Sequence, residues 1–263
     1  LATILVIDDG SPDGTAEIVE DLARSDTRIV LHRRPGKLGL GTAHRLGFEY
    51  ALRNGFRTVL TMDADLSHRP VDAPRLVARA RQPGVDVAVG SRYMRGGHIE
   101  GWPASRRVLS YCANKLLRAS LGATVRDCTG AFRAYDVAFV RTLPLDELGN
   151  AGYSAIPEQL LIAMQQGGTL VEEPITFVER QMGATKLTKR ELGNSLLNVV
   201  HMYRRRRQTG AGARVRRGRP VATGEGAPAQ ESAVLVGSRQ PDVRPATSAP
   251  AAAAGERPAG PEV

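Results

Sequence analysis

The feature that most constrains the fold of this chain is a regular alternation of short apolar runs with longer amphipathic segments. The short runs are rich in β-branched residues, and the longer segments repeat apolar residues at helical spacing. Strands are predicted at 3–7, 28–31, 58–62 and 85–89, and helices at 15–24, 42–54 and 73–81. Strands joined by crossover helices run parallel in one sheet. The sequence therefore predicts an α/β fold, a mostly parallel sheet flanked by helices.

The second half of the chain predicts fewer elements and a change of character near residue 208. A helix is expected over 105–121 with Gly122 after it, and a strand over 170–178 that Pro174 interrupts. Thr188 and Glu191 form a capping box for a last amphipathic helix, which ends in the four arginines of 204–207. From 208 to 263 the composition is rich in Ala, Pro, Gly and Arg, so we expect a catalytic domain over 1–207 and a disordered tail.

The net charge of +9 resides in the C-terminal region rather than in the folded part. Eight arginines lie between 204 and 219, and without them the formal charge is about +1. A nucleic-acid-binding face would need basic residues spread over the fold, so a membrane surface is the better-matched partner. No apolar stretch reaches the roughly 18 residues that a membrane-spanning helix needs. Two isolated cysteines and no export signal favour a peripheral protein on the cytoplasmic side.

Two acidic clusters follow predicted strands and carry the first indication of chemistry. Asp63 and Asp65 form a D-x-D pair directly after the strand 58–62, and Asp8 and Asp9 follow the strand 3–7. The carboxyl ends of parallel strands are where open α/β sheets bind ligands, and paired carboxylates suit Mg²⁺ or Mn²⁺ on a diphosphate. Acidic pairs also cap turns and helices, so each cluster alone is weak evidence.

Two other families fit parts of this pattern. The segment 63–67 also matches the D-x-D-x-[ST] motif of haloacid-dehalogenase-like phosphohydrolases, with Asp63 as nucleophile. That family carries its motif on the first strand, whereas here an acidic strand end precedes it. A dinucleotide-binding module using Gly39 and Gly41 is weaker, because His44 stands where the third glycine is expected.

Taken together, five motifs resemble the inverting glycosyltransferases of the GT-A fold, and among them the dolichol-phosphate and polyprenol-phosphate mannosyltransferases. The motifs are VIDDGSPDGT at 6–15, GLGTA at 39–43, DADLSH at 63–68, GSRY at 90–93 and DCTGAFRAY at 127–135. They occur in the family's order, and the likeness runs to about residue 207. In this family a strand and a P-x-Y-N-E segment come earlier than the first motif here, so the sheet is expected to lack its first strand.

The resemblance implies roles for the donor side. Asp63 and Asp65 would bind the metal and the diphosphate, with Ser67 as third ligand where the family often has Gln. Asp8 and Asp9 would contact the nucleoside. The segment 180–186 is similar to the family's R-x-x-G-x-[ST]-K element, which implies that Arg180 and Lys186 add positive charge near the diphosphate and the acceptor.

The acceptor side rests on spacing as well as on the resemblance. Arg106 and Ser110 lie four residues apart, so they share a face of the predicted helix, and both residue types bind phosphate well. The resemblance implies that they hold the acceptor phosphate together with Arg92 and Arg180, with Arg107 as a substitute for Arg106. A solvated basic helix start is the simpler alternative.

The resemblance implies transfer of mannose from GDP-mannose to a polyprenol phosphate with inversion, at a membrane surface and with a membrane-anchoring partner protein. A glucosyltransferase using UDP-glucose shares the same motifs and stays open. A non-catalytic relative also stays open, because the donor site would be incomplete without the expected first strand. His68 and Trp102 receive no role at this point.

Overall fold

The computed structural model of this chain describes residues 2–149, 155–179 and 233–238. A seven-stranded main sheet and a two-stranded ribbon are present in these ranges. The strands are β1 (Ala2–Asp8), β2 (Ile29–Arg33), β3 (Thr58–Asp63), β4 (Val87–Ser91), β5 (His98–Glu100), β6 (Arg133–Asp136), β7 (Leu170–Pro174), β8 (Thr176–Val178) and β9 (Ala233–Ser238). The predicted early strands are confirmed, and the predicted strand 170–178 is divided between β7 and β8 as Pro174 suggests.

Helices cover the sheet where the sequence predicts them. They are α1 (Thr15–Ser25), α2 (Leu40–Arg53), α3 (Ala73–Ala80), α4 (Ala104–Leu121), α5 (Val137–Val140) and α6 (Ala155–Gln165). Gly122 ends α4 in the left-handed region at φ 64°, where glycine has no steric penalty. The sequence did not predict α5, α6 or the short strands β5 and β6. None of the helices within the described ranges is long and apolar enough to cross a bilayer.

The sheet order explains where a site can form. The strands lie in the order β2-β1-β9-β3-β6-β4-β7, and β6 is antiparallel to both of its neighbours. All other pairs in this sheet are parallel. The carboxyl ends of β1, β3 and β4 therefore meet at one edge, and the α/β prediction is confirmed.

Alternate residues of the central strands feed two apolar cores on opposite faces of the sheet. Val59 belongs to a core with residues of α2, α4 and α6, whereas the next residue, Leu60, belongs to a core with Leu76 of α3. Both faces of the sheet are thus covered, as in other doubly wound sheets. The rigid sheet leaves only its loop-bearing edges to carry chemistry.

The strand β9 differs from the expectation that nothing after residue 208 is ordered. It lies between β1 and β3, parallel to both, with Ala233 in register with Ala2 on one side and with Thr58 on the other. Without it, β1 and β3 would each present an edge of unpaired backbone groups in the middle of the sheet. The composition of the segment conceals this strand, because a short apolar run is embedded in Ala-rich and Pro-rich sequence. The rest of 208–263 lies outside the described residues.

Candidate active site

The D-x-D pair lies at the end of β3 and in the turn that follows it, residues 63–68, which we call the metal turn. Leu66 in this turn has a positive φ of 63°, and Asp65 Oδ1 accepts the backbone N–H of Ser67 at 3.0 Å. The Ser67 hydroxyl also donates to Asp65 Oδ1. Two local hydrogen bonds thus fix one carboxylate at the carboxyl end of a parallel strand.

The buried side chain of His68 supports the metal turn. Its ring is 2% exposed and lies between Phe132, at a centroid distance of 5.0 Å, and Phe177, at 5.4 Å. Burial lowers the pKa of His68 below the ordinary value, so the ring is neutral and its Nδ1 accepts the Asp63 N–H at 3.2 Å. The histidine that sequence reasoning left unassigned therefore shapes the turn that carries both carboxylates.

The donor atoms of the metal turn suit a hard divalent cation. Mg²⁺ and Mn²⁺ prefer oxygen ligands, and Mg²⁺ is usually bound by one or two protein carboxylates together with substrate phosphates. The described part of the chain contains no cluster of three or more His, Cys, Asp or Glu side chains that could hold a metal alone. As a pair of carboxylates, Asp63 and Asp65 match the oxygen ligands that these ions prefer, and their binding of a metal stays a prediction. Ser67, predicted as third ligand, is fully buried and directs its hydroxyl to Asp65.

The acids after β1 are both bound by the protein. Asp8 Oδ2 accepts the backbone N–H groups of Gly10 at 3.0 Å and Ser11 at 3.1 Å, which forms the turn. Asp9 makes a two-point ion pair with the buried Arg34, at 2.5 Å and 2.6 Å. Both acids lie at the expected strand end, while their predicted contact with a nucleoside stays a prediction.

Sequence reasoning missed Arg34, which pairs with Asp9 after the carboxyl end of β1. Its Nη1 donates to the hydroxyl of Thr42 at 2.6 Å, within the GLGTA motif. The pair with Asp9 therefore ties the loop after β1 to the start of α2. An arginine just after a predicted strand was the available signal, but its partner lies 25 residues earlier.

Arg92, at the end of β4, is buried rather than displayed. Its Nε and Nη2 donate to Asp127 at 2.7 Å and 2.8 Å, and Nη2 also donates to Thr129. Burial opposes its charge, but Asp127 outweighs burial and raises the pKa of Arg92; Asp63 acts in the same direction. Arg92 thus lies within electrostatic reach of the metal turn, although two of its side-chain nitrogens already donate hydrogen bonds to Asp127. Its predicted contact with phosphate stays a prediction.

Arg106 and Ser110 share one face of α4, as their spacing predicts. Arg106 Nη1 donates to both carboxylate oxygens of Glu179, at 2.7 Å and 2.8 Å, and its guanidinium lies 4.1 Å above the ring of Trp102. The Tyr93 hydroxyl donates to Ser110 Oγ at 2.7 Å. Ser110 accepts in this contact, so its own O–H can still donate to an anion. Arg107 lies on an exposed part of the helix.

Some predicted site residues fall outside the described ranges. They are Arg180 and Lys186, together with the last helix and its arginines. Among the others, Asp63, Asp65 and Arg92 come together at one edge of the sheet. Aromatic contacts then connect this group to Arg106, because Phe177 touches both His68 and Trp102.

Comparisons with known proteins relate this chain to glycosyltransferases. Residues 1–143 match the model of glycosyl transferase family 2. The chain is 39% identical over 198 residues to a polyprenol monophosphomannose synthase of Mycolicibacterium smegmatis, covering 75% of this chain and 74% of that protein. It is 35% identical over 212 residues to an undecaprenyl-phosphate mannosyltransferase of Micrococcus luteus, covering 81% and 86%. A solved glucosyl-3-phosphoglycerate synthase from Mycobacterium tuberculosis with UDP superposes at a TM-score of 0.49, with 15% identity over 80% of each chain.

Proposed function

This chain belongs to glycosyl transferase family 2, and on that premise we propose that it transfers mannose from GDP-mannose to a polyprenol phosphate with inversion. The names of its two relatives, a polyprenol monophosphomannose synthase and an undecaprenyl-phosphate mannosyltransferase, support the sugar and the acceptor class. The family does not use the phosphohydrolase chemistry that the D-x-D-x-[ST] pattern also fits, so that alternative is set aside.

One observation carries the proposal: β8 joins the metal turn to the face of α4 that carries Arg106 and Ser110, which we call the acceptor face. Phe177 of β8 contacts His68 in the metal turn, and Glu179, just after β8, binds Arg106. A donor diphosphate at the metal turn and an acceptor phosphate at Arg106 and Ser110 would therefore share one cleft. Holding both reactants in fixed geometry is a large part of what such an enzyme must do.

The acceptor itself explains why the cleft needs little acid–base chemistry. A phosphate monoester has its second pKa near 6, so at neutral pH it is already a nucleophilic anion. In this proposal Arg106 and Ser110 bind and orient that phosphate for in-line attack, while Asp63 and Asp65 hold the donor end. The resemblance implies that Arg180 and Lys186, which lie outside the described residues, add positive charge near the diphosphate and the acceptor. A bound Mg²⁺ or Mn²⁺ ion supplies charge that the departing diphosphate needs.

We also propose attachment to the cytoplasmic face of a membrane, where a polyprenol acceptor resides. Support comes from α4, whose exposed residues are mostly apolar or basic and whose sequence contains no acid. The exposed apolar residues are Val108, Leu109, Tyr111 and Leu116. A basic amphipathic helix of this type is attracted to anionic lipid. Co-sedimentation with anionic vesicles measures this attachment, and equal binding to neutral and anionic vesicles would contradict the electrostatic part.

The test is transfer of radiolabel from GDP-mannose to a polyprenyl phosphate in detergent, with Mg²⁺, Mn²⁺ or chelator. We expect metal-dependent transfer, a β-linked product, and a fall of at least about a hundredfold in Asp65→Asn, because the turn then loses a charged ligand for the cation that would neutralise the leaving diphosphate. Asp26→Asn, in an exposed turn, is the matched control. Transfer from UDP-glucose alone would overturn the donor, and an α-linked product would overturn inversion.

A further inference from the structure

Three consecutive residues at the end of β8 contact both sides of the cleft. Phe177 packs against His68 of the metal turn, and the Val178 N–H donates to the Ser67 carbonyl at 3.0 Å. Glu179, the next residue, binds Arg106 on α4. A single extended segment therefore sets the distance between the metal turn and the acceptor arginine.

The place of Glu179 is built by its surroundings. Its N–H donates to the Glu100 carbonyl at 3.0 Å, which extends the β5–β8 ribbon by one bond. A Cβ on Gly101 would come within 2.7 Å of the Glu179 Cβ, and Gly101 has a φ of 80°. Only glycine suits both conditions, so the turn that leads to Trp102 is shaped around Glu179.

The guanidinium of Arg106 is held on two sides. Trp102 supports one face at 4.1 Å, and both Glu179 oxygens meet the single nitrogen Nη1. Within the described ranges, Nε and Nη2 of Arg106 make no hydrogen bond, so the ion pair leaves donors for a phosphate. The two side chains are 29% and 34% exposed, and a pair this exposed contributes little to folding.

We propose that Glu179 is a positioning residue, which, with Trp102, holds Arg106 in the orientation that binds the acceptor phosphate. This inference rests on the proposed function, because it assigns the acceptor to Arg106. Glu179 acts through Arg106 and touches neither substrate. Since β8 also holds the metal turn, Glu179 sets Arg106 at a fixed position relative to the donor end.

A competing interpretation predicts the opposite change in acceptor affinity when Glu179 is replaced. If Glu179 instead occupied Arg106 as a substitute for phosphate, removing its charge would free the arginine and tighten acceptor binding. Positioning requires that removal weaken it. The direction of the change in acceptor affinity therefore separates the two interpretations.

The experiment compares Glu179→Ala, Glu179→Gln, Arg106→Ala and the double variant Glu179→Ala/Arg106→Ala. Calorimetry measures the Kd of farnesyl phosphate, and steady-state assays measure the KM values of acceptor and GDP-mannose. We expect Glu179→Ala to raise the acceptor Kd and KM about tenfold with an unchanged KM for GDP-mannose, an effect of about the size of one charge-assisted hydrogen bond. Glu179→Gln should recover part of the loss, because its amide oxygen still accepts from Nη1. Glu100→Gln, on the exposed neighbouring acid, is the matched control.

The double variant decides whether Glu179 acts through Arg106. In the Arg106→Ala background, Glu179→Ala should have no further effect on acceptor binding. Additive losses, tighter acceptor binding, or an equal rise in both KM values would each overturn the proposal. If the wild type binds farnesyl phosphate but transfers no mannose, the proposed function fails while the calorimetric comparison still decides the role of Glu179.

Discussion

The metal turn and the acceptor face hold their charged groups in opposite ways. In the metal turn, Asp65 accepts hydrogen bonds from the hydroxyl and the backbone N–H of Ser67, and the backbone N–H of Asp63 donates to His68. Two arginines are instead bound by carboxylates: Arg106, on the acceptor face, by Glu179, and Arg92, after β4, by Asp127. Local hydrogen bonds thus shape the metal turn, and ion pairs between distant residues hold the arginines.

This difference indicates what each side has to attract. Two carboxylates in one turn offer the oxygen ligands that a divalent cation prefers. Arginines held by carboxylates are nearly neutral as pairs, so they recognise phosphate by the direction of their remaining N–H groups more than by long-range attraction. In the proposed function, the metal turn would therefore attract its ligand by charge, and the arginines would recognise phosphate by geometry.

The largest expected effect comes from breaking the buried ion pair between Arg92 and Asp127. Asp127→Ala would leave Arg92 charged and without its carboxylate in a site where both side chains are almost fully buried. We expect the free energy of unfolding to fall by about 3–5 kcal/mol, measured by urea denaturation. Asp21→Ala, in an exposed pair with Arg24, should change it by less than about 1 kcal/mol. Similar small losses in both variants would show that Arg92 does not depend on Asp127.

A smaller effect separates the two sides by a matched pair of serines. Ser67→Ala removes the hydroxyl that orients Asp65, and we expect the apparent metal affinity to fall about tenfold, as for other partners of metal ligands. Ser110→Ala should raise the acceptor KM and leave the metal dependence unchanged. Both are measured by initial rates against metal and acceptor concentration. A change of metal dependence in Ser110→Ala would contradict the division of the cleft into two sides.

The smallest expected effect is a loss of folding stability at acidic pH, and its source should lie outside both the metal turn and the acceptor face. His44 in α2 is buried, its Nδ1 lies 3.0 Å from Gln159 Oε1, and burial lowers its pKa. The folded state therefore binds fewer protons than the unfolded state once the pH falls below about 6.5. Stability should decline as the pH drops through that value, with a weaker decline in His44→Gln. Urea denaturation at several pH values measures both slopes, and equal slopes would exclude His44 as a source.

The sequence predicts the strand ends of the site well and its long-range partners poorly. Asp8, Asp9, Asp63 and Asp65 follow apolar runs, and parallel strands bring such positions to one edge. Arg34 and Glu179 have partners 25 and 73 residues away, and local periodicity contains no information about these pairs. His68 was recognised as adjacent to the motif, but its function depends on burial between Phe132 and Phe177.

Prediction of secondary structure from the sequence fails where the elements are shortest or where the surrounding composition is not typical of a folded segment. The four-residue strand β6 is antiparallel and overlaps the end of the DCTGAFRAY motif, so no alternation of strand and helix predicts it. The strand β9 is a short apolar run in a segment whose overall composition indicates disorder. Tertiary pairing, which supplies a place between β1 and β3, decides its structure.

Trp102 is the only tryptophan of the chain, and its place gives the cleft an optical property. The guanidinium of Arg106 lies 4.1 Å from the centre of its ring, that of Arg92 lies 5.8 Å away, and Phe177 meets it edge-on. The electric field at an indole ring shifts the wavelength of its fluorescence emission. A phosphate that binds Arg106, as proposed, would therefore change the fluorescence of Trp102. Acceptor binding can therefore be followed by intrinsic fluorescence without a label.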